Sequence, residues 1–297
     1  MKSKNLIKIR KQIKFLTNFQ KTTKSISLIS SIKFQKAYKK ITRIMKNIFY
    51  LLEIFREILR RHPRLISNLE IIKKGLEGKI LIVVIASDKG LAGVFDQLIF
   101  KEAENFLKDK DFYLGTIGLK AEKYFKKKYQ LLFSFSKFEN ILPESFAREL
   151  LSFFDLIIKE NKIKEIYLIR PNLTSTGFQV EVVKVFPLTL ENLKDLIEKI
   201  KVKTKEFEFL KPKESLREFK YILEPSPQIL IQTIFNQISY LIIYALILQS
   251  QASLEFMRTL TMKKASENAE KIKEREILDY NKLRQQKITE ELLDLRR

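Results

Sequence analysis

An apolar repeat near the N-terminus leaves this chain few folds to choose from. Ile9, Ile13, Leu16, Gln20, Thr23, Ser27, Ser30, Phe34, Ala37, Ile41, Ile44, Ile48, Leu51, Phe55 and Ile58 are spaced alternately four and three apart. That spacing holds one stripe of a helix toward a partner helix. From Met1 to Leu52 there are fourteen Lys and Arg and no acid; the first is Glu53. A helix of one charge sign needs a negative neighbour as well as a helical partner.

A second long helix is expected at the other end. Glu224-Pro225-Ser226-Pro227 suits a helix start, because an N–H missing there costs nothing, and no Pro or Gly follows Pro227. An uninterrupted helix of about 70 residues would be about 105 Å long. It must pack along another rod or protrude. The two arms, 1–62 and 226–297, can pair antiparallel if the middle, 79–220, returns the chain to its start. Pro63, Gly75 and Gly78 mark the end of the first arm. Its seam is aliphatic at Ile9–Leu16 and Phe34–Ile58 but small and polar at Gln20, Thr23, Ser27 and Ser30. Ala265, Ser266 and Ala269 are the small positions of the second arm.

The middle reads as α/β. Lys79–Ala86 is a continuous β-branched run, as in a strand buried on both faces. Val94–Lys108 reads as a helix, Phe112–Ile117 as a strand, Gly118 to Lys128 and Ser145–Asn161 as helices. Glu165–Arg170 and Phe178–Phe186 read as a hairpin about a turn at Asn172–Gly177. This alternation implies a small mixed or parallel sheet with flanking helices.

Composition closes several routes. There is no Cys, so no disulfide, thiolate or zinc finger. The one histidine, His62, precedes Pro63 and lacks the converging ligands of a metal site. Paired acids such as Glu290-Glu291 look like ordinary solvation of a helix, and no catalytic constellation can be assembled. The excess of 57 Lys and Arg over 35 Asp and Glu, a net charge of +22, suits nucleic acid, an anionic membrane or an acidic protein. No helix-turn-helix or RNP signature favours nucleic acid.

Two stretches stay open at this level. Ser87–Gly93 lies where phosphate loops lie, after a strand and before a helix, but fits neither Gly-rich fingerprint; a tight helix-capping turn is the simpler reading. Pro225–Leu254 has no charge and is long enough to span a membrane, yet Gln232, Asn236, Gln237, Gln249 and Gln251 recur along it. The competing reading is a helix gripped by other protein. The acid-poor start is similar to a transit peptide, but its repeat is too long and regular for a removable segment.

Several segments resemble the gamma subunit of F-type ATP synthases. Asn18-Phe-Gln-Lys-Thr-Thr-Lys-Ser-Ile26 is similar to the family's N-T-x-K-I-T-K-A-M, and Ile85-Ala-Ser-Asp-Lys-Gly-Leu-Ala-Gly-Val-Phe95 to S-S-D-R-G-L-C-G-x-F. Tyr221-Ile-Leu-Glu-Pro-Ser-Pro227 resembles Y-x-x-E-P-x-P. Arg258, Met262, Asn268 and Ala269 fall in R-M-x-A-M-x-x-A-T-x-N-A. Tyr280–Gln285 and Ile288–Glu291 resemble Y-N-K-A-R-Q and I-T-x-E. Departures include Phe19 for Thr, Thr259 for Met, and Leu254 where the family has an acid.

The resemblance implies a non-catalytic rotor shaft that binds no cofactor, metal, nucleotide or nucleic acid. Its expected partners are the hexameric ring of alpha and beta subunits, the epsilon subunit and the membrane c-ring. Its expected place is peripheral, at the cytoplasmic face of a bacterial plasma membrane. Lys24, Ile26, Arg258, Gln285, Thr289 and Glu291 match positions of contact and coupling with beta. Tyr221 and Glu224 match c-ring contacts.

Overall fold

A computed structural model describes residues 2–62, 78–91, 94–108, 110–161, 163–174, 177–187, 190–200 and 223–294. Tyr221, Pro63, Gly75 and Gly93, each singled out by sequence, lie outside the described residues. Two compact units form: Met1–Lys33 with Glu255–Arg297, and Phe34–Leu254. Helix α1 (Lys2–Arg61) and the last helix, α6 (Pro227–Asp294), contribute to both.

In the first unit the two ends of the chain pair antiparallel. Ser27 Oγ donates to the Thr259 carbonyl at 3.1 Å, Ser266 Oγ to the Gln20 carbonyl at 3.5 Å, and Lys273 Nζ to Gln20 Oε1 at 2.7 Å. The Lys33 ammonium stands 3.5 Å from the Glu255 carboxylate. Rising numbers on α1 therefore meet falling numbers on α6. Ser30 and Thr23 are buried at this seam, as is Ala269 across from it. Small seam side chains let the helix backbones approach, at the cost of little apolar burial per residue. Every position of the apolar repeat, from Ile9 to Ile58, is buried or half-buried.

The second unit is built on a sheet of order β3-β2-β1-β4-β5, with β1 Ile80–Ile85, β2 Phe112–Ile117, β3 Leu131–Phe135, β4 Glu165–Thr174 and β5 Gly177–Phe186. The β1–β2, β1–β4 and β2–β3 pairs are parallel, and β5 runs antiparallel to β4. Alternate residues of β1 serve two layers, as the pleat dictates. Ile82 and Val84 pack with α2 (Phe95–Leu107) and α3 (Leu119–Phe125). Leu81, Val83 and Ile85 pack in the larger core with α4 (Pro143–Asn161), α5 (Leu190–Ile200), Ile41–Ile58 of α1 and Ile231–Leu254 of α6. This is why β1 reads as an unbroken apolar run.

Three details differ from the sequence reading. Strands β4 and β5 run to Thr174 and from Gly177, so Asn172 is a paired strand residue (opposite Gln179) and not part of the turn. Edge strand β3 was not expected; Phe133 makes it possible by lying over Gly115, where an added Cβ would come within 2.3 Å of the ring. Helix α5 was also not expected. At the start of α6, Ser226 Oγ accepts the Ile229 N–H at 3.3 Å and Pro227 is the first helical residue, as the Pro-Ser-Pro sequence anticipates.

Candidate functional site

The uncharged part of α6 is long and apolar enough to cross a membrane by composition. Within the second unit, however, Leu241–Ser250 is buried at every position. Several of the polar side chains in and beside it are engaged internally. Ser239, Ser250 and Ser253 donate back to carbonyls four residues earlier, and Gln249 Nε2 donates to the Ile200 carbonyl at 3.0 Å. This segment is the core helix of the α/β unit.

The Ser87 turn is filled by the chain's own carboxylates. The Ser87 N–H and Oγ donate to Asp96 at 3.0 and 2.7 Å. The Asp88 N–H donates to Glu139 Oε1 at 2.8 Å, and the Leu119 N–H at the start of α3 donates to Asp88 Oδ1 at 2.9 Å. These are the backbone donors a phosphate would need. At Gly118, φ is 102° and a Cβ would lie 2.1 Å from the Ala86 carbonyl oxygen, so β1 and β2 close here only around a glycine. The geometry fits the tight-turn reading of this loop.

The expected contact residues are spread along the helices. Gln285 and Thr289 come together, with the Thr289 hydroxyl donating to the Gln285 carbonyl at 3.0 Å. Lys282, Gln286 and Glu290 lie beside them on the same exposed face of the helix. Glu291, also exposed, pairs with Lys287 at 3.3 Å. Arg258 lies 27 residues before Gln285 on the same helix, about 40 Å along its axis. It is buried, and its guanidinium bonds Glu255 Oε1 at 2.9 Å. Glu255 thus supplies a carboxylate one residue past Leu254, which is itself buried. The Ser27–Thr259 bond puts Lys24 and Ile26 within two turns of Arg258's level, Lys24 exposed and Ile26 half-buried. Glu224 is exposed just before α6. His62 is exposed at the end of α1, and among the described residues no cluster of His, Cys, Asp or Glu could hold a metal.

Sequence reasoning missed two charged groups in the sheet. Arg170 on β4 is fully buried; one nitrogen bonds Glu181 on β5 at 2.7 Å, while Nε and Nη1 have no hydrogen-bond partner among the described residues. Burial pushes its pKa down and Glu181 opposes that. At the other end of the hairpin Glu165 accepts from Lys184 at 2.6 Å and from the Tyr167 hydroxyl at 2.7 Å. Burial alone would raise the Glu165 pKa, but these partners outweigh it and hold the carboxyl below its usual range. Burial and the same carboxylate push the Tyr167 hydroxyl up to about 12. A cross-strand register, invisible in the sequence, creates both clusters.

A family profile described as ATP synthase matches residues 5–296. The chain belongs to the ATP synthase family. Among its relatives, the ATP synthase gamma chain of Caldanaerobacter subterraneus subsp. tengcongensis is 25% identical over 292 residues, covering 96% of this chain and 95% of the relative. The gamma chain of Clostridium acetobutylicum is 28% identical over 301 residues, with 99% and 97% covered. A chain in the central stalk and c-ring structure of the Tetrahymena thermophila mitochondrial ATP synthase shares the fold. Its TM-score is 0.50 at 17% identity, covering 82% of this chain and 99% of that one. Family membership and end-to-end likeness to gamma chains give this protein the gamma role, that of a non-catalytic subunit in the ATP synthase complex.

Proposed function

We propose that this chain is the turning central shaft of a proton-translocating F-type ATP synthase. Its paired terminal helices stand within a hexameric ring of alpha and beta subunits. The α/β middle, 79–220, sits with the epsilon subunit on the membrane c-ring, at the cytoplasmic face of a bacterial plasma membrane, peripheral and without a span of its own. It binds neither nucleic acid nor nucleotide. The observation that carries the reading is the antiparallel pairing of the chain's two ends, Lys33 with Glu255 and Ser27 with Thr259. The burial of Leu241–Ser250 supports attachment through partners, and the occupied backbone donors around Ser87 and Asp88 support a chain that leaves nucleotide chemistry to beta.

The mechanism is coupling by differential contact. Each angle of an asymmetric shaft stabilises one set of beta conformations over the others, and by reciprocity nucleotide binding turns the shaft. Lys24, Ile26, Arg258, Gln285, Thr289 and Glu291 are its contacts with beta; Tyr221 and Glu224 meet the c-ring. The acid-free stretch 1–52 attracts the acidic surface of beta at long range without fixed pairs that would resist sliding.

The test is to purify the native complex and then replace Arg258 and Gln285 together. ATP hydrolysis should persist while proton pumping per ATP falls severalfold. A chain that purifies from membranes without ATPase subunits, or a double variant with normal pumping, removes respectively the shaft assignment or these two residues from it.

A further inference from the structure

The Asp88 carboxylate does more than cap a helix. It is 8% exposed and accepts three backbone N–H bonds, from Leu119 at 2.9 Å, Lys137 at 2.8 Å and Glu139 at 2.8 Å. Glu139 answers by accepting the Asp88 N–H at 2.8 Å. Two of the donors flank Phe138, which is fully buried with its ring centroid 6.1 Å from that of Phe146 on α4. The carbonyl of Phe138 accepts Gln251 Nε2 of α6 at 3.2 Å. The 137–139 turn is therefore strung between the end of β1 and the start of α3 on one side and the shaft helix on the other. Lys137 has φ 64° and ψ 23°, a left-handed conformation that a lysine keeps only where its surroundings over-determine it.

Apolar burial is non-directional: close packing holds α6 against the sheet but leaves small rotational excursions that no single contact forbids. Hydrogen bonds of fixed geometry resist that rotation. We propose that Asp88 is a positioning residue for rotary coupling: by fixing the 137–139 turn, which Gln251 grips, it narrows the angle through which α6 can twist against the sheet under load, alongside the Gln249–Ile200 bond. The inference rests on the shaft reading above and adds to it the joint through which torque passes within the residues 34–254 unit.

The experiment uses the assembled complex. The chain has no cysteine, so Lys101→Cys on the exposed face of α2 gives it one attachment point for a rotation probe, in complexes whose other subunits have had reactive cysteines replaced. Complexes carry Asp88→Asn, Gln251→Leu, or both. Asn at 88 keeps acceptors for Leu119 and Lys137 but turns an amide N–H toward that of Glu139. The readout is the angular variance of the probe during catalytic pauses, with the melting temperature measured alongside.

Each single variant should widen the variance about twofold, and the double should be no wider than the wider single, because both cut one link. A lowered melting temperature with unchanged variance would mean Asp88 only holds its loop, and would overturn the proposal; so would variances that add. If Asp88→Asn does not assemble, Gln251→Leu decides alone: a wider variance supports the joint and an unchanged one overturns it. A probe on the otherwise native chain that fails to turn with ATP is a different failure, that of the shaft reading itself.

Discussion

The two units use the same pair of helices in different ways. In Phe34–Leu254 the repeat buries Ile41, Ile44, Ile48, Phe55 and Ile58 against α6 and the sheet, and α6 itself is buried at every position from Leu241 to Ser250. In Met1–Lys33 with Glu255–Arg297 the repeat buries Thr23 and Ser30, while Phe15, Leu28 and Ile29 stand exposed. Charge divides the second pair of segments as well. Residues 1–33 hold nine Lys and Arg and no acid, whereas 255–297 hold eleven and nine acids. One region is welded by apolar volume. The other is held by close approach and a few polar contacts, with a positive helix that carries no acid of its own. A continuous repeat thus specifies register everywhere but strength only where its residues are large.

That contrast can be broken by mutation. The largest effect is expected at Ile48, fully buried in the larger core, where Ile48→Ala should cost about 2–5 kcal/mol in urea unfolding. A loss under about 1 kcal/mol would mean the site collapses freely, against the close packing of such interiors. Next is Ser30→Leu in the small-residue seam. Forcing a larger side chain between closely approaching helices should destabilise the first unit by about 1–3 kcal/mol. Hydrogen exchange of amides 16–33 should quicken while those of β1 stay protected. Slower exchange there would show that the seam has room for apolar filling, and the contrast would weaken to one of composition.

The smallest effect sharpens the comparison from the acid side. The folded Glu165 pKa is lowered by Lys184 and Tyr167, so the unfolded chain binds more protons and stability rises with pH. Its contribution is present above the ordinary carboxylate range and is lost as pH falls through the folded value. Glu165→Gln should flatten this acid limb, by under about 1 kcal/mol because the group is partly solvated. The melting of the α/β unit should then depend less on pH below the usual range of a glutamate. An unchanged acid limb would assign it to other carboxylates.

Much of this arrangement could be read from residues alone. The seam positions, the buried run of β1, the hairpin of β4 and β5 and the Ser-Pro start of α6 each follow from a local pattern with a mechanical cause. Gln285 and Thr289 are four apart on a helix and so share a face. Strand β3 was not legible, because what makes it a strand is Phe133 lying over Gly115 of a neighbour. Nor was the setting of Arg258, which is buried and paired with Glu255 one turn earlier. The open choice over Pro225–Leu254 had the same origin: composition cannot say whether lipid or protein covers an apolar helix.

The sequence by itself determined periodicity, sign of charge and the places where the backbone must turn, since these depend on neighbours three or four residues away. Tertiary structure alone decided which side chains from distant segments meet: Gln251 with Phe138, Asp88 with Lys137 and Glu139, Arg170 with Glu181. A hydrogen bond needs its partner within about 3 Å and in line. That condition is set by the packing of whole elements, which no short stretch of residues encodes.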